Sequence, residues 1–219
     1  MNNQAINKLN SQFSIPIFDN ENNNIGSLFL IDKTILEKQD IIHKLTKWRR
    51  MFMRNFLTQF PATEERTKNW LKNIVIPSLE RKLFLILDEK GNILGNFGIC
   101  NLIETTAELD NIILGERGGN PRLIYYAEIA ILKWLYYTLN IQIVNLHVFS
   151  NNPITIDLHR SIGFKIINRV HLYKQSFNNE IHYSTNTSGE KMNFDYLEMK
   201  LTKKDFEELN EILFINYKD

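Results

Sequence analysis

Alternation of apolar positions predicts a buried strand at residues 145–149. Leu146 and Val148 alternate with His147 and Phe149, which is the period of a β-strand. Comparable runs, several of them bounded by turn residues such as Gly91, predict further strands elsewhere in the chain. These further predicted strands cover residues 26–31, 82–87, 93–102, 105–114, 165–176 and 192–201.

A short helix is predicted directly after the strand at 145–149. Asn152 has the side chain of an N-cap, and Pro153 follows at the first helical position. Gly163 can adopt the left-handed conformation that ends a helix. A four-residue repeat gives this helix one apolar face, formed by Ile154, Leu158 and Ile162.

Helical periodicity also predicts a helical segment over residues 33–60, which ends at Pro61. Its aromatic residues recur every four positions and are expected in the core, whereas basic residues lie opposite. The aromatic set is Trp48, Phe52, Phe56 and Phe60, and the basic set is Lys47, Arg50 and Arg54. Further helices are predicted from Thr63, from Pro121 to about Leu139, and over residues 205–214.

The order of these elements predicts one α/β domain over residues 26–219, preceded by an Asn- and Gln-rich arm with an edge strand over residues 1–25. The composition is that of a globular protein, with 43% hydrophobic and 23% charged residues. The net charge of +1 provides no global attraction for nucleic acid, and no apolar run is long enough to span a bilayer. Residues 1–10 are polar, so we expect no secretory signal, and a single cysteine fits a reducing cytoplasm.

The stretch at residues 145–164 resembles the C-terminal signature of the GCN5-related N-acetyltransferase (GNAT) family. In that family a strand V-x-x-x-N leads into a helix that ends L-Y-x-x-x-G-F; the matching residues here are Val148, Asn152, Leu158, His159, Gly163 and Phe164. The resemblance implies a GNAT fold, with a mixed, mostly antiparallel sheet of about seven strands flanked by helices. It also implies acyl transfer to an amine, with acetyl-CoA or another short acyl-CoA as co-substrate and no metal.

The loop at residues 115–121 is the expected pyrophosphate site, because N–H groups at a helix start can bind phosphate. Flexible backbone is expected at Gly118, Gly119 and Asn120, N–H donors at Arg122, Leu123 and Ile124, and charge from Arg117 or Arg122. The family loop usually reads Q/R-x-x-G-x-G/A. Counting back from Val148, its glycine positions hold Leu123 and Tyr125, so the glycines have moved forward in this chain. A tight turn into a helix is the alternative interpretation.

The resemblance also assigns the pantetheine arm to two strands that splay apart in the family. The positions that match the first strand are Ile112, Ile113 and Leu114. Asn152 ends the second strand, where it can cap its helix, contact the pantetheine arm, or do both.

Three side chains are candidates for proton transfer. Glu108 and Asp110 alternate with Leu109 and therefore share one strand face, where two carboxylates can raise each other's pKa toward that of a useful base. The alternatives are that Asp110 accepts hydrogen bonds from substrate hydroxyls, or that both lie on a solvated face. His159 replaces the usual family tyrosine and is either the proton donor to sulfur or a packing residue. Weaker candidates for the base are His147, His171 and His182.

For the acceptor, the basic residues Arg49, Arg50, Arg54 and Arg66, with Lys47, are candidates for gripping a diphosphate; a solvated helix face is the alternative. The runs at residues 56–71 and 107–134 resemble family members that acylate nucleotide-linked amino sugars for surface polysaccharide. That resemblance implies a dTDP-3-amino-3,6-dideoxyhexose type of substrate.

Two other functions stay open, namely N-acetylation of a protein amine and non-catalytic binding of acyl-CoA. The expected partners are a small-molecule amine and a second copy of the chain in a homodimer, with no nucleic acid and no membrane insertion.

Overall fold

The computed structural model of the chain describes residues 13–215, with side chains described up to residue 209. Of the predicted arm at residues 1–25, residues 1–12 therefore lie outside the described part. The remainder contains strand β1 (Ser14–Phe18), which pairs antiparallel with β2 (Asn24–Leu30) at one edge of the sheet.

The strands of the described region form one ten-stranded sheet in the order β1-β2-β4-β5-β6-β7-β10-β8-β9-β3. The remaining strands are β3 (Thr58–Gln59), β4 (Lys82–Asp88), β5 (Ile93–Ile103), β6 (Thr106–Leu114), β7 (Ile143–Phe149), β8 (Lys165–Phe177), β9 (Glu180–Ser184) and β10 (Glu190–Thr202). Among these strands the β6–β7 pairing is parallel and every other pairing is antiparallel. The sheet is thus mixed and mostly antiparallel, as predicted, with three more strands than the seven expected.

Five α-helices connect or flank these strands in the described region. They are α1 (Gln39–Met51), α2 (Glu64–Trp70), α3 (Leu123–Lys133), α4 (Pro153–Ile162) and α5 (Lys203–Ile215). Turns of π-helix extend α2 and α3, over Leu71–Val75 and Trp134–Thr138. Between its described ends the chain contains no helix with the length and apolarity needed to cross a membrane.

The helical segment predicted over residues 33–60 is interrupted. A 3₁₀ turn precedes α1, which ends at Met51, and a second 3₁₀ turn and β3 follow. Trp48 is fully buried, as expected for the core, but Phe56 and Phe60 are only half-buried. Their rings lie against the guanidinium of Arg49, whose central carbon is 3.4 and 5.3 Å from the two ring centroids. The four-residue spacing of the aromatics therefore did not identify one continuous helix face.

The two faces of the sheet carry separate cores because side chains alternate along each strand. Phe84, Phe97 and Leu109 point to the face covered by α3, together with α4. Leu83 and Ile113 point to the opposite face, which is covered by α1 and α2. Arg49 of α1 reaches β6 on that face, where it donates a hydrogen bond to Asn111.

Candidate active site

A fork in the sheet forms where β6 and β7 separate. The two strands pair in parallel from Thr106 and Ile143 only as far as Leu109 and Leu146. On its other side β6 continues to pair with β5, so only the edge toward β7 opens. The fork therefore leaves backbone groups of the last part of β6 facing β7, where they can bond to amides of an extended ligand.

A β-bulge bends β6 at this fork. The register with β5 passes from Gly98–Asp110 to Asn96–Ile113, which places one extra residue on β6. Asn111 has a positive φ of 49°, a conformation that asparagine tolerates. A Cβ on Gly98 would lie 2.5 Å from the carbonyl oxygen of Asp110, so glycine permits this close approach.

The predicted pantetheine positions lie on the two sides of the fork. Ile112, Ile113 and Leu114 follow the last residue of β6 that pairs with β7. On the other side Asn152 caps α4, where its Oδ1 accepts the N–H of Thr155 at 3.5 Å. The family resemblance assigned these residues to two strands that splay apart. In the structure β6 and β7 separate after Leu109 and Leu146.

In the predicted pyrophosphate loop, the two glycines adopt backbone conformations with positive φ. Gly118 and Gly119 have φ values of +140° and +64°, whereas Asn120 is outside the left-handed region. The Asn120 side chain accepts the N–H of Arg122 at 2.8 Å, and its carbonyl accepts that of Leu123 at 2.9 Å. The expectation that Arg122 and Leu123 present unused N–H groups is therefore wrong for this conformation, because Asn120 binds both.

The loop still has the charge expected for a phosphate site. Arg117 is exposed, and the guanidinium of Arg122 lies over the ring of Tyr125, with 4.5 Å between its central carbon and the centroid. Two guanidinium groups beside two consecutive glycines are suited to a diphosphate. The chemistry of the loop therefore fits the pyrophosphate of an acyl-CoA.

Contacts from α1 hold the start of this loop. The indole Nε1 of Trp48 and the Nζ of Lys47 both donate to Glu116 Oε1, at 3.0 and 2.9 Å. These two bonds lower the pKa of Glu116. A Cβ on Gly115 would lie 2.2 Å from the indole ring, so the loop passes tightly against Trp48. Lys47 of α1 thus supports the loop through Glu116 and does not line an acceptor-binding surface.

Glu108, predicted as a base, lies in an ion pair on the face of β6 below the fork. Its Oε1 lies 2.8 Å from His147 Nδ1, and its Oε2 accepts a hydrogen bond from Asn101 at 2.8 Å. Partial burial raises the pKa of Glu108, but the bond and charge of His147 outweigh it, so the net pKa is lowered. The expected elevation by mutual repulsion of two carboxylates does not occur for Glu108, since its hydrogen bond to His147 lowers its pKa.

Asp110, the second predicted base, is bonded at both oxygens. Its Oδ2 accepts hydrogen bonds from Arg81 at 2.6 Å and from the Asn111 side chain at 2.8 Å, and its Oδ1 accepts the Asn111 N–H. Burial lowers the pKa of Arg81, but the bond to Asp110 outweighs burial and raises it overall. These contacts hold the bulge in shape.

His159 is buried between α3 and α4, with 3% of its surface exposed. Its Nδ1 lies 2.8 Å from Oε1 of the fully buried Glu128, and the second oxygen of Glu128 has no hydrogen-bond partner among the described residues. The buried face of α4 consists of Ile156, His159 and Ile162, whereas the predicted face residue Ile154 is 83% exposed. These contacts favour the packing role for His159 that the sequence left open beside proton donation.

A cavity of about 430 Å³ lies between α1, α2 and the bulge. Asn111 and Ile113 of β6 line it, together with Arg49, Arg66 and Phe60. No acidic side chain is among the described residues that line it. The charged groups among its described lining residues are therefore the two guanidinium groups of Arg49 and Arg66, which lie beside the rings of Phe60 and Trp70.

Two of the four predicted acceptor-binding arginines line this cavity. Arg49 donates to the Asn111 side chain at 3.3 Å and to the Thr58 carbonyl at 3.1 Å, and burial lowers its pKa to about 10, so it stays charged. The Arg66 guanidinium lies 3.8 Å from the Phe60 centroid and donates a hydrogen bond to Glu180 Oε1 at 2.7 Å. Arg50 donates instead to the Ala62 carbonyl at 3.0 Å, and Arg54 is exposed in the turn after α1, so neither of these two lines the cavity.

Sequence reasoning missed partners that pair across long stretches of chain. Arg81 precedes β4 and is 29 residues from Asp110, and Glu128 is 31 residues from His159. His147 was only a weak candidate because nothing local connects it with Glu108. A glutamate inside the apolar α3 was the one sequence signal for a buried polar contact.

A family model described as "Acetyltransferase (GNAT) domain" matches residues 34–184, which is more than half of the chain. The chain therefore belongs to the GNAT acetyltransferase family, which confirms the predicted family and fold. It is an N-acyltransferase with acetyl-CoA as co-substrate. No curated protein matches the chain significantly.

Solved structures with a similar fold include other GNAT enzymes. The Vibrio cholerae spermidine N-acetyltransferase in complex with CoA and spermine has a TM-score of 0.59 and 19% identity, over 84% of this chain and 99% of that chain. The dodecameric structure of the V. cholerae enzyme in an intermediate state has a TM-score of 0.57 and 18% identity, over 84% and 97%. A probable GNAT-family acetyltransferase from Chromobacterium violaceum has a TM-score of 0.59 and 14% identity, over 84% and 91%. At these identities the likeness concerns the fold.

Proposed function

We propose that the chain transfers a short acyl group from acyl-CoA to the amine of a small, phosphorylated acceptor, a nucleotide-linked amino sugar. The observation that carries this proposal is the cationic, aromatic cavity beside the fork. The fork itself supports the position of acyl-CoA. Ile112–Leu114 would bond to the pantetheine amides, and the loop with Arg117 and Arg122 would hold the pyrophosphate.

The charges around the cavity distinguish between acceptor classes. Arg49 and Arg66 can bind a diphosphate, and Phe60 and Trp70 offer rings on which a nucleobase can stack. The resemblance in sequence to amino-sugar acyltransferases indicates the same class, with a dTDP-3-amino-3,6-dideoxyhexose as a specific candidate. A polyamine carries several cations, and binding them in this cavity would require carboxylates that its described lining lacks. A polyamine acceptor is therefore disfavoured, although spermidine enzymes share the fold.

A thermal-shift panel followed by thiol-release assays tests the acceptor class. Acetyl-CoA should stabilise the chain, and a dTDP-linked 3-amino-3,6-dideoxyhexose should both stabilise it and release CoA thiol, whereas spermidine should do neither. Turnover of spermidine, or of a peptide amine, without turnover of any nucleotide sugar would contradict the proposal.

Matched arginine variants assign the acceptor contact to the cavity. Arg66→Gln should raise the acceptor KM about 10- to 100-fold, which corresponds to losing a charge-assisted contact of about 1.5–3 kcal/mol. Its effect on kcat should be small. Arg169→Gln removes the same charge from an exposed position on β8, and its acceptor KM should match that of the wild type. Equal KM values for both variants would show that the cavity does not bind the acceptor.

A further inference from the structure

We propose that His147 accepts the proton of the attacking amine and that Glu108 positions it. This assignment rests on the proposed acyltransferase function and names the base of that same site. The sequence favoured Glu108 and Asp110 of β6 as bases. The contacts around the fork favour His147 as the base instead.

The position of His147 follows from the strand register. The last parallel pair of β6 and β7 is Leu109 with Leu146, so His147 is the first residue of β7 beyond it. Its imidazole bonds to Glu108, which places the ring on the sheet face that also carries Asp110. A side chain at this point stands at the base of the opening into which the thioester of a bound acyl-CoA would project.

Two contacts fix the orientation of the imidazole. Nδ1 lies 2.8 Å from Glu108 Oε1, and the ring stacks on Tyr196 with 4.9 Å between centroids and 17° between planes. Glu108 is itself held by the side chain of Asn101. A carboxylate at Nδ1 keeps the proton on that nitrogen and leaves Nε2 as the basic atom. The arrangement is that of an oriented general base.

The neighbouring charges favour an imidazole base over a carboxylate base. The bond to Glu108 raises the pKa of His147; burial opposes this shift, and the charges of Glu108 and of Glu198 on β10 add to it. Tyr196 also contacts the ring, but burial and nearby carboxylates raise its pKa, so it stays neutral. The pKa of Glu108 is lowered, so it is a weaker proton acceptor than a neutral imidazole, and both oxygens of Asp110 already accept hydrogen bonds from Arg81 and Asn111.

The proton balance is simple for a direct transfer. The amine nitrogen forms a bond to the thioester carbonyl carbon, and the bond from that carbon to sulfur breaks. The proton lost by the nitrogen goes to His147 Nε2, and the Glu108 carboxylate stabilises the resulting imidazolium. The released CoA thiolate takes a proton from solvent, and His147 returns its own proton to solvent.

The substitution His147→Asn tests the assignment, because an asparagine amide can still donate to Glu108 but offers no basic nitrogen. With an amine that the wild type acetylates, we expect kcat to fall about 10²- to 10⁴-fold. Stabilisation by acetyl-CoA should be unchanged. His43→Asn is the matched control, since His43 Nδ1 also lies close to a carboxylate, 2.7 Å from Glu64 Oε1, at an exposed position on α1. Its rate should equal that of the wild type.

The pH profile separates a base from a structural residue. In the wild type kcat/KM should rise with pH through the raised pKa of His147, because only neutral imidazole accepts a proton. This rise is the acid limb of the pH profile. Glu108→Gln removes the charge that stabilises the imidazolium, so the limb should move to lower pH. His147→Asn should abolish the limb.

Two results would overturn the assignment. A His147→Asn variant with a wild-type rate and an unchanged limb would overturn the base role alone. A wild type that binds acetyl-CoA but acetylates no amine would overturn the proposed function together with it.

Discussion

The substitution Gly115→Ala tests whether packing of α1 shapes the cofactor loop. Gly115 lies outside the positive-φ region, so alanine causes no backbone strain. Its Cβ would lie 2.2–2.3 Å from three atoms of the Trp48 indole, which is fully buried. The ring and the loop cannot both remain in place, because real Cβ contacts are essentially never this short.

The expected cost has two parts. Overpacking of a core typically costs about 1–3 kcal/mol. Displacing the indole also breaks its bond to Glu116, and a hydrogen bond to a charged group contributes about 1.5–3 kcal/mol. Because Lys47 still holds Glu116, we expect a total near the lower end of the combined range, about 3 kcal/mol. In a domain of this size that lowers Tm by about 6–12 °C.

Thermal unfolding with and without acetyl-CoA measures both consequences of Gly115→Ala. The variant should melt at the lower temperature and should be stabilised less by acetyl-CoA, since the start of the loop has moved. Gly91→Ala is the control, because Gly91 has a φ of +80° but no atom within 4 Å of the added Cβ. The control should lose only about 1 kcal/mol and keep the full acetyl-CoA shift. Equal behaviour of the two variants would refute the reasoning.

Three further predictions concern α4 and the ion pair below the fork. His159→Ala should lower the free energy of unfolding in urea by about 3–5 kcal/mol, because it leaves the Glu128 carboxylate buried and unpaired. Adding Glu128→Met should recover most of that loss, and no recovery would contradict the pairing. Asn152→Ala should cost about 0.5–1 kcal/mol through loss of the α4 cap, and an unchanged Tm would contradict it. The Glu108–His147 pair has a lowered acid pKa and a raised histidine pKa, so its stabilisation should be greatest at about pH 5–6 and decrease on either side. Glu108→Gln should therefore lose most stability in that window in urea unfolding, and a loss independent of pH would contradict the pairing.

The sequence predicted secondary-structure elements well where the hydrophobic periodicity agrees with the capping and helix-ending residues. The strand at residues 145–149, the cap at Asn152 and the stop at Gly163 produce β7 and α4 nearly as expected. Local signals are sufficient there because the cap and the C-terminal glycine act within one turn of the helix.

Periodicity was insufficient where side chains serve the site instead of the core. Phe56 and Phe60 kept a helical spacing after α1 had ended, and they pack on the guanidinium of Arg49. Ile154 continued the apolar repeat of α4 but faces outward, while His159 takes a buried position. Burial of a residue depends on which neighbours the fold brings to it, and that information is not local.

The ion pairs of the site were beyond local sequence signals for the same reason. Glu108 and His147 are 39 residues apart along the chain. They meet only because β6 and β7, which are connected by α3, pair in parallel. The sequence could place both on strands and name both as titratable groups. It could not show that Glu108 pairs with His147 and Asp110 with Arg81, and these two pairings change the expected base.

Hydrogen–deuterium exchange in the presence of acetyl-CoA tests the central claim most directly, namely that the co-substrate binds in the fork. We predict slower exchange in peptides that cover residues 110–126 and 147–155, with little change in β8 and β9. Protection confined to other regions, or no protection under conditions in which acetyl-CoA raises Tm, would contradict the account.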